Sequence, residues 1–370
     1  MNAFPPSLLR RLRRPLFAAY RSISLALCPA CGFICNVAFD PTLQEYSAKY
    51  EATQSCSPTF NVFHERLAQH LIDRFGLHDK DVIEIGCGQG EFLTLLCELG
   101  ANRGVGFDPA YDGRLPDSEA QSSLTFIPDF YSEKYAGYHG DFLVCKMTLE
   151  HIRDTSAFVS TVRRSIGDRF ETVVFFQVPD VLRILREQAF WDIYYEHCSY
   201  FSAGSLARLF RQSGFDVIDL WRDYDDQYLM IEAVPSRGQQ TQPLSQEESP
   251  SELARDVALF VEHCQQKFAV WKGDLRAIVQ DGRRVVLWGG GSKAVAFLTT
   301  LSLAGEIEYV VDINPLKHGT YLAGTGQKVV SPEFLRDYRP DVVVVMNPIY
   351  CDEIEADLSA MGLKPEMVAV

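Results

Sequence analysis

Residues 81–93, DVIEIGCGQGEFL, constrain the fold of this chain more than any other stretch. Residues 82–85 read as a buried strand that carries one acid, Glu84, and residues 92–97 begin a helical pattern. Between them stand Gly86, Gly88 and Gly90. A strand, a glycine turn and a helix together open a nucleotide-binding α/β unit, because backbone without side chains lets a ligand approach the helix start. The spacing is G-x-G-x-G, whereas a dinucleotide fingerprint is G-x-G-x-x-G.

With Glu84 two residues ahead of the first glycine, the stretch resembles motif I of class I S-adenosylmethionine (SAM) methyltransferases. The resemblance implies that Glu84, Gly86, Gly88 and Gly90 hold the methionine end of the cofactor. The following strand supports it. Residues 104–108 end in Asp108, eighteen positions beyond Gly90, where a ribose-binding carboxylate belongs in such folds. Asp129 and Phe130 supply an acid for the adenine amino group and a ring to pack on it. Residues 141–145 read as a fourth strand, 150–152 as the opening of a helix and 172–179 as a fifth strand, with two more strands near 215–219 and 228–234. The alternative, strand-end acids that merely cap helices, does not account for so many elements arriving in order.

Residues 236–251, rich in Gln, Ser, Pro and Glu, read as a linker. A helical stretch over 253–280 then leads to a second strand–glycine–helix unit at 284–293. Its next strand ends in Asp312, and in the strand read at 341–346 the residues after Asp341 are continuously apolar, as a parallel strand covered on both faces should be. The expected fold class is therefore α/β, a class I methyltransferase Rossmann-like sheet followed by a second, smaller Rossmann-like domain. The expected divisions are a basic arm and zinc-knuckle remnant (1–40), a methyltransferase domain (41–235), a linker (236–252) and a helical plus Rossmann-like substrate domain (253–370).

A chain of 370 residues can bury two or three cores. Its net charge of −14 argues against nucleic acid as a partner. No apolar run approaches the ~18 residues of a membrane span. The ten cysteines are scattered, which points to reduced thiols and a cytoplasmic protein. Arg10, Arg11, Arg13, Arg14 and Arg21, with no acid before Asp40, read as a poorly ordered basic arm; the alternative is a targeting or membrane-surface segment. Cys28 and Cys31 form a C-x-x-C-G knuckle of the kind that grips zinc. Structural zinc takes four ligands, and only one pair is present, with Cys35 and Cys56 irregularly spaced, so no zinc is expected.

Reactive side chains are densest at 191–202, where Tyr194, Glu196 and His197 bring a phenol, a carboxylate and an imidazole together. The segment follows the fifth strand, at the edge where open α/β sheets bind ligands. His151, after the fourth strand, is a second candidate. The competing interpretation makes these side chains packing or helix-capping residues. C-x-x-C-G, E-I-G-C-G-Q-G, Y-x-E-H-C-S-Y-F-S and a terminal G-G-G-S-K unit together resemble the sugar C-methyltransferases, which methylate a carbon of a nucleotide-diphosphate keto-deoxysugar. That resemblance implies that His151, Tyr194, Glu196 and His197 line the active site. It also implies a sugar-nucleotide subsite at Tyr50, Gly289, Gly291, Ser292 and Lys293, and it extends to D-x-N-P-x-K-x-G at 312–319. The chain departs from the family in lacking the first Cys pair, in carrying Asp225-Asp226 where a Gly pair belongs beside the sugar nucleotide, and in having Tyr195 where His is common. Carbon becomes nucleophilic only when a proton next to a carbonyl is removed, which suits a His base. Tyr194 would then stabilise the enolate and Glu196 orient an imidazole. The remaining alternatives are an O- or N-methyltransferase, a NAD-binding oxidoreductase using Gly289, Gly291 and Asp312, and a non-catalytic scaffold.

Overall fold

The computed structural model describes residues 22–43, 53–113, 118–238, 242–303 and 305–370, with the backbone of Leu8–Leu9. The arginines expected to form a basic arm, and Tyr50, lie outside the described residues.

Seven strands form the first sheet: β1 (Asp81–Ile85), β2 (Arg103–Phe107), β3 (Leu124–Ile127), β4 (Phe142–Lys146), β5 (Val173–Pro179), β6 (Phe215–Asp223) and β7 (Tyr228–Pro235). Their order is 6-7-5-4-1-2-3, and only β7 runs against its neighbours. This is the arrangement the likeness to class I methyltransferases implies. Every residue of β4 is buried, because apolar clusters cover both faces of the sheet. Strand order reverses between β1 and β4, and a crevice opens at their carboxyl ends.

Local chemistry sets the helices that flank this crevice. Helix α1 (Pro58–Phe75) starts where the Ser57 side chain accepts the Phe60 N–H and stops at Gly76 in the left-handed region. Helix α2 (Glu91–Gly100) follows the glycine turn directly. The helix start expected at residues 150–152 is corrected. Leu149–His151 form one 3₁₀ turn, and α3 (Thr155–Ile166) begins only where Asp154 accepts the Ala157 N–H. The short turn keeps His151 at the sheet edge. Helices α4 (Val181–Glu187) and α5 (Ala203–Gln212) complete this half, α5 closed by a capping box between Ser202 and Ser205.

The second sheet has a parallel core of β8 (Val285–Trp288), β9 (Tyr309–Val311), β10 (Lys328–Val330), β11 (Val342–Val345) and β12 (Glu366–Ala369), in the order 10-9-8-11-12. Helix α6 (Pro250–Gln280) precedes it, and α7 (Ser292–Leu301) and α8 (Cys351–Ala360) lie within it. The linker expected over 236–252 needs correcting at its end. Ser249 and Glu252 form a capping box that starts α6 at Pro250. Nor is the preceding stretch a bare tether, since Glu248 accepts hydrogen bonds from the Ser202 hydroxyl and the Gly204 N–H. No helix among the described residues is long and apolar enough to cross a membrane.

Packing ignores the sequence boundary between the halves. Phe190 and Trp191, from the first half, are buried in the second domain's core, where Phe190 stacks on Phe297 at 5.8 Å. A three-stranded sheet joins the hairpin Leu25–Leu27/Ile34–Asn36 to Ser199–Tyr200.

The β6–β7 turn carries a local cost. Tyr224, Asp225 and Asp226 all have positive φ, at 56°, 57° and 54°. Side chains tolerate that region poorly, β-branched ones least. Asp226→Val is expected to destabilise by about 1–2 kcal/mol and Asp226→Gly to be neutral or stabilising by up to ~1 kcal/mol. Urea unfolding followed by circular dichroism measures both, and equal midpoints for the two variants would refute the strain.

Candidate active site

The carboxyl ends of β1, β4 and β5 face those of β8, β9 and β11 across one cavity of about 780 Å³. Its walls come from both domains, which polar contacts hold together around the opening. Tyr224 donates its hydroxyl to Tyr350 at 2.6 Å, Gln227 donates to the Asn347 side chain at 2.9 Å, and Ser57 donates to Glu353 at 2.7 Å.

On the first domain's side, Glu84, Gly86, Gly88, Asp108, Asp129 and Phe130 all line the cavity. Gly86 has φ +74°, and a Cβ there would stand 2.0 Å from the Thr148 hydroxyl oxygen. Gly88 has φ +56°, and nothing lies within 4 Å of the point a Cβ would occupy, so its open side faces the cavity. Gly90 behaves differently: it is not part of the wall, and its Cβ would strike the Phe126 ring at 2.4 Å. The third glycine therefore lets the loop pack on β3. Asp108 accepts from the Gly88 N–H at 2.9 Å and the Ala110 N–H at 2.7 Å, which aims the carboxylate along the loop. Glu84 is 3 % exposed, its Oε2 has no hydrogen-bond partner, and burial pushes its carboxyl up to about 8. An orphaned buried acid beside an open glycine cradle fits the aminoacyl and ribose parts of SAM. Phe130 is exposed enough to offer a ring face. Asp129 is already committed to Lys134, the Tyr135 hydroxyl and the Phe130 N–H, and Lys134 holds its carboxyl down at about 2.

Three residues of the reactive cluster, His151, Tyr194 and His197, line the same cavity. His151 Nδ1 lies 2.9 Å from the Glu196 carbonyl oxygen, so the neutral ring carries its proton there and presents Nε2 as the acceptor. His197 meets His151 edge to face at 4.8 Å, and the Tyr194 ring lies 4.1 Å from His197. The backbone around His197 is pinned: its own N–H donates to the Tyr194 carbonyl, the Cys198 N–H donates to the Glu150 carbonyl, and the Asn36 N–H donates to the Cys198 carbonyl. Burial pushes the His151 ring down to about 4 and His197 well below its usual range, so both are neutral. Glu196 is not part of the cavity wall; it orients His151 through its main-chain carbonyl. Tyr195 also turns away, its hydroxyl accepting the Asp40 N–H at 2.8 Å.

On the second domain's side, Gly289, Gly291, Ser292 and Lys293 line the cavity, with Gly291 capping α7 without a side-chain bond. Lys293 is not an isolated cation. It lies 2.8 Å from Asp192, which also pairs with Arg183 at 3.1 Å, and it donates to Gln227 at 3.3 Å. Asp312 accepts from Gly290, Asn314 and Lys317. Asp225 and Asp226 are exposed and absent from the wall, so the expectation that their carboxylates stand beside an anionic ligand is corrected. The turn points outward, and Gln227 reaches the cavity instead.

Sequence reasoning missed several wall residues. Glu150 is 1 % exposed, neither of its oxygens has a hydrogen-bond partner, and Oε1 lies 4.0 Å from His197 Nε2. Burial pushes its carboxyl up to about 8. Lys146 and His64 face the cavity together, 2.8 Å apart. The adjacent Glu-His pair was legible; nothing in local spacing marks the lysine or His64. Among the described residues, Glu150, His151 and His197 alone form a group of metal-ligating atoms, all within 4.8 Å, and no third ligand joins Cys28 and Cys31.

Comparison with known proteins fits this geometry. Residues 60–220 match the family of methyltransferase domains, and residues 236–364 match the C-methyltransferase C-terminal domain. The chain is 28 % identical over 303 residues to the C-methyltransferase NovU of Streptomyces niveus, covering 78 % of this chain and 71 % of that protein. It is 26 % identical over 126 residues to the ubiquinone biosynthesis O-methyltransferase of Yersinia enterocolitica, covering 30 % of this chain and 52 % of that one. Among solved structures, PH0226 from Pyrococcus horikoshii is similar at 16 % identity and a TM-score of 0.39, covering 50 % of this chain and 94 % of that chain.

Proposed function

The protein is a SAM-dependent methyltransferase whose chain joins a methyltransferase domain to a C-methyltransferase C-terminal domain, and we propose that it methylates a carbon next to a carbonyl in a nucleotide-diphosphate keto-deoxysugar. The observation that carries this reading is the placement of His151. A neutral imidazole, tautomer set by the Glu196 carbonyl, faces a cavity with a glycine cradle on one side and the start of α7 on the other.

Glu84, Gly86, Gly88 and Asp108 would hold SAM, which supplies an electrophilic methyl group when bound. The chain's own residues do the rest. His151 Nε2 takes the proton from the acceptor carbon, and the electron pair left behind moves onto the carbonyl oxygen. His151 is the base because it is the more exposed of the two imidazoles that line the cavity; His197 is 4 % exposed and lies against Glu150. Tyr194 stands at the wall as a donor to the developing enolate oxygen. Glu150 stands beside the imidazole pair, its Oε1 4.0 Å from His197 Nε2, with its carboxyl kept protonated by burial. The main-chain N–H groups at the start of α7 receive the diphosphate, with Gly289 and Gly291 letting it approach the backbone. Lys293, tied to Asp192 and Gln227, braces that loop.

The experiment is solvent-deuterium exchange into nucleotide-diphosphate keto-sugars with S-adenosylhomocysteine present, read by NMR. Deuterium is expected to appear at the carbon beside the carbonyl without turnover, and the transferred methyl is expected on that carbon. A methyl found on oxygen or nitrogen, with no exchange, would sink the proposal and leave the SAM dependence standing.

A further inference from the structure

Lys146 ends β4 in surroundings that do not suit a cation. It is 8 % exposed, its ammonium nitrogen lies 3.5 Å above the centroid of the Phe92 ring, and it lies 2.8 Å from His64 Nε2. His64 comes from α1 and Phe92 from α2, so three elements converge on one amine. Burial, aided by Lys146, pushes the His64 ring down to about 2, so the ring is neutral and accepts a hydrogen bond from the amine. Glu84 and Glu91 act on Lys146 through space, opposing the effect of burial. A buried ammonium with one hydrogen bond and one ring face still has a donor to place.

That donor has a destination in the same corner. Lys146, His64, Glu84, Gly86 and Gly88 line one end of the cavity together. Glu84 offers an acceptor there, since its Oε2 has no partner. The corner thus presents a buried acid and a buried amine to whatever enters, which is the complement of an α-amino acid zwitterion. We propose that Lys146, held by His64, receives the α-carboxylate of the methionyl end of SAM while Glu84 receives its ammonium. The proposal rests on SAM as the cofactor and is independent of which acceptor atom is methylated. It makes Lys146 a binding residue and His64 a positioning residue.

Burial disfavours charge on both groups, raising Glu84 to about 8 and lowering Lys146 to about 7. A zwitterion reverses that preference on each. Glu84 then gives up a proton and Lys146 retains or gains one, so the empty corner and the filled one differ in charge separation more than in net charge.

The test compares three ligands by calorimetry: S-adenosylhomocysteine, its decarboxylated analogue, and 5′-methylthioadenosine, which lacks the amino acid. The native protein is expected to bind S-adenosylhomocysteine about 10–100-fold tighter than the decarboxylated analogue, the worth of one charge-assisted hydrogen bond. Lys146→Met should bring the two within about 3-fold and leave 5′-methylthioadenosine unchanged, and Lys146→Arg should restore part of the difference. His64→Leu, a separate variant should Lys146→Met fail to fold, should reduce the same ratio. The proposal is overturned if Lys146→Met weakens all three ligands equally, or if the carboxylate preference persists in either the Lys146→Met or the His64→Leu protein.

Discussion

Turnover of the His151→Ala protein is expected to fall by about 10²–10⁴-fold, the usual worth of a positioned general base. Its affinity for S-adenosylhomocysteine should be unchanged, because the proposed base meets the acceptor carbon, whereas Glu84, Gly86, Gly88 and Asp108 are the residues proposed to hold the cofactor. Deuterium exchange at the acceptor carbon should vanish with methyl transfer. His197→Ala separates the two imidazoles. That ring packs between Glu150 and Tyr194, so its loss should lower stability and reduce turnover less, with exchange still measurable. The pH profile is a second readout. Burial lowers His151 to about 4 against an ordinary value of 6.5, so the neutral base persists as pH falls through 6.5 and is lost only near the lower value. The acid limb of kcat/KM is therefore expected well below 6. Full exchange in the His151→Ala protein, or an acid limb at 6.5, would mean that the base is another group.

The Gly86→Ala protein is expected to lose both cofactor binding and stability. Two costs add: a positive φ of 74°, and a Cβ placed 2.0 Å from Thr148 Oγ1 and 2.8 Å from Thr148 Cβ and Cγ2. The backbone strain is worth about 1–3 kcal/mol, and displacing Thr148 would move the turn that carries Glu150 and His151. Unfolding by denaturant measures the first effect and calorimetry with S-adenosylhomocysteine the second. Gly88→Ala is the control, since nothing lies within 4 Å of its Cβ. It keeps the φ cost but should leave Thr148 and the reactive turn in place. Equal losses of stability in the two variants would show that φ strain alone matters and that Thr148 does not; cofactor affinity does not make this comparison, because the open side of Gly88 faces the cavity.

The strands of both sheets were legible because buried parallel strands write themselves as short apolar runs, and glycines mark the turns where backbone meets ligand. Asp108 was legible for the same reason, as an acid closing such a run. What failed was anything fixed by three-dimensional neighbours. Spacing makes Gly90 one more ligand glycine, whereas the Phe126 ring from β3 is what excludes a side chain there. The family resemblance places Lys293 in a sugar-nucleotide subsite, and α4 and the segment after it deliver Arg183 and Asp192 to the same point. Asp225 and Asp226 stand where a glycine pair belongs in the family, and the left-handed turn instead carries them outward. Lys146 carries no motif, since its significance comes from burial against His64 and Phe92, and that of Glu150 comes from burial with neither oxygen hydrogen-bonded.

Among the described residues no third ligand joins the C-x-x-C hairpin, and the hairpin has a mechanical occupation. Its second strand, Ile34–Asn36, is zipped to Ser199–Tyr200, immediately after His197, while Phe190 and Trp191 anchor the other end of that segment in the far domain's core. The 189–202 segment is thus a bridge with one pier in each neighbour. A cut that follows the apparent boundary at residue 40 would remove one pier and bare a strand edge. Chimaeras that exchange whole modules of this architecture have to carry the hairpin, the 189–202 segment and the second sheet as one inheritance, although the sequence spells them as three separate words.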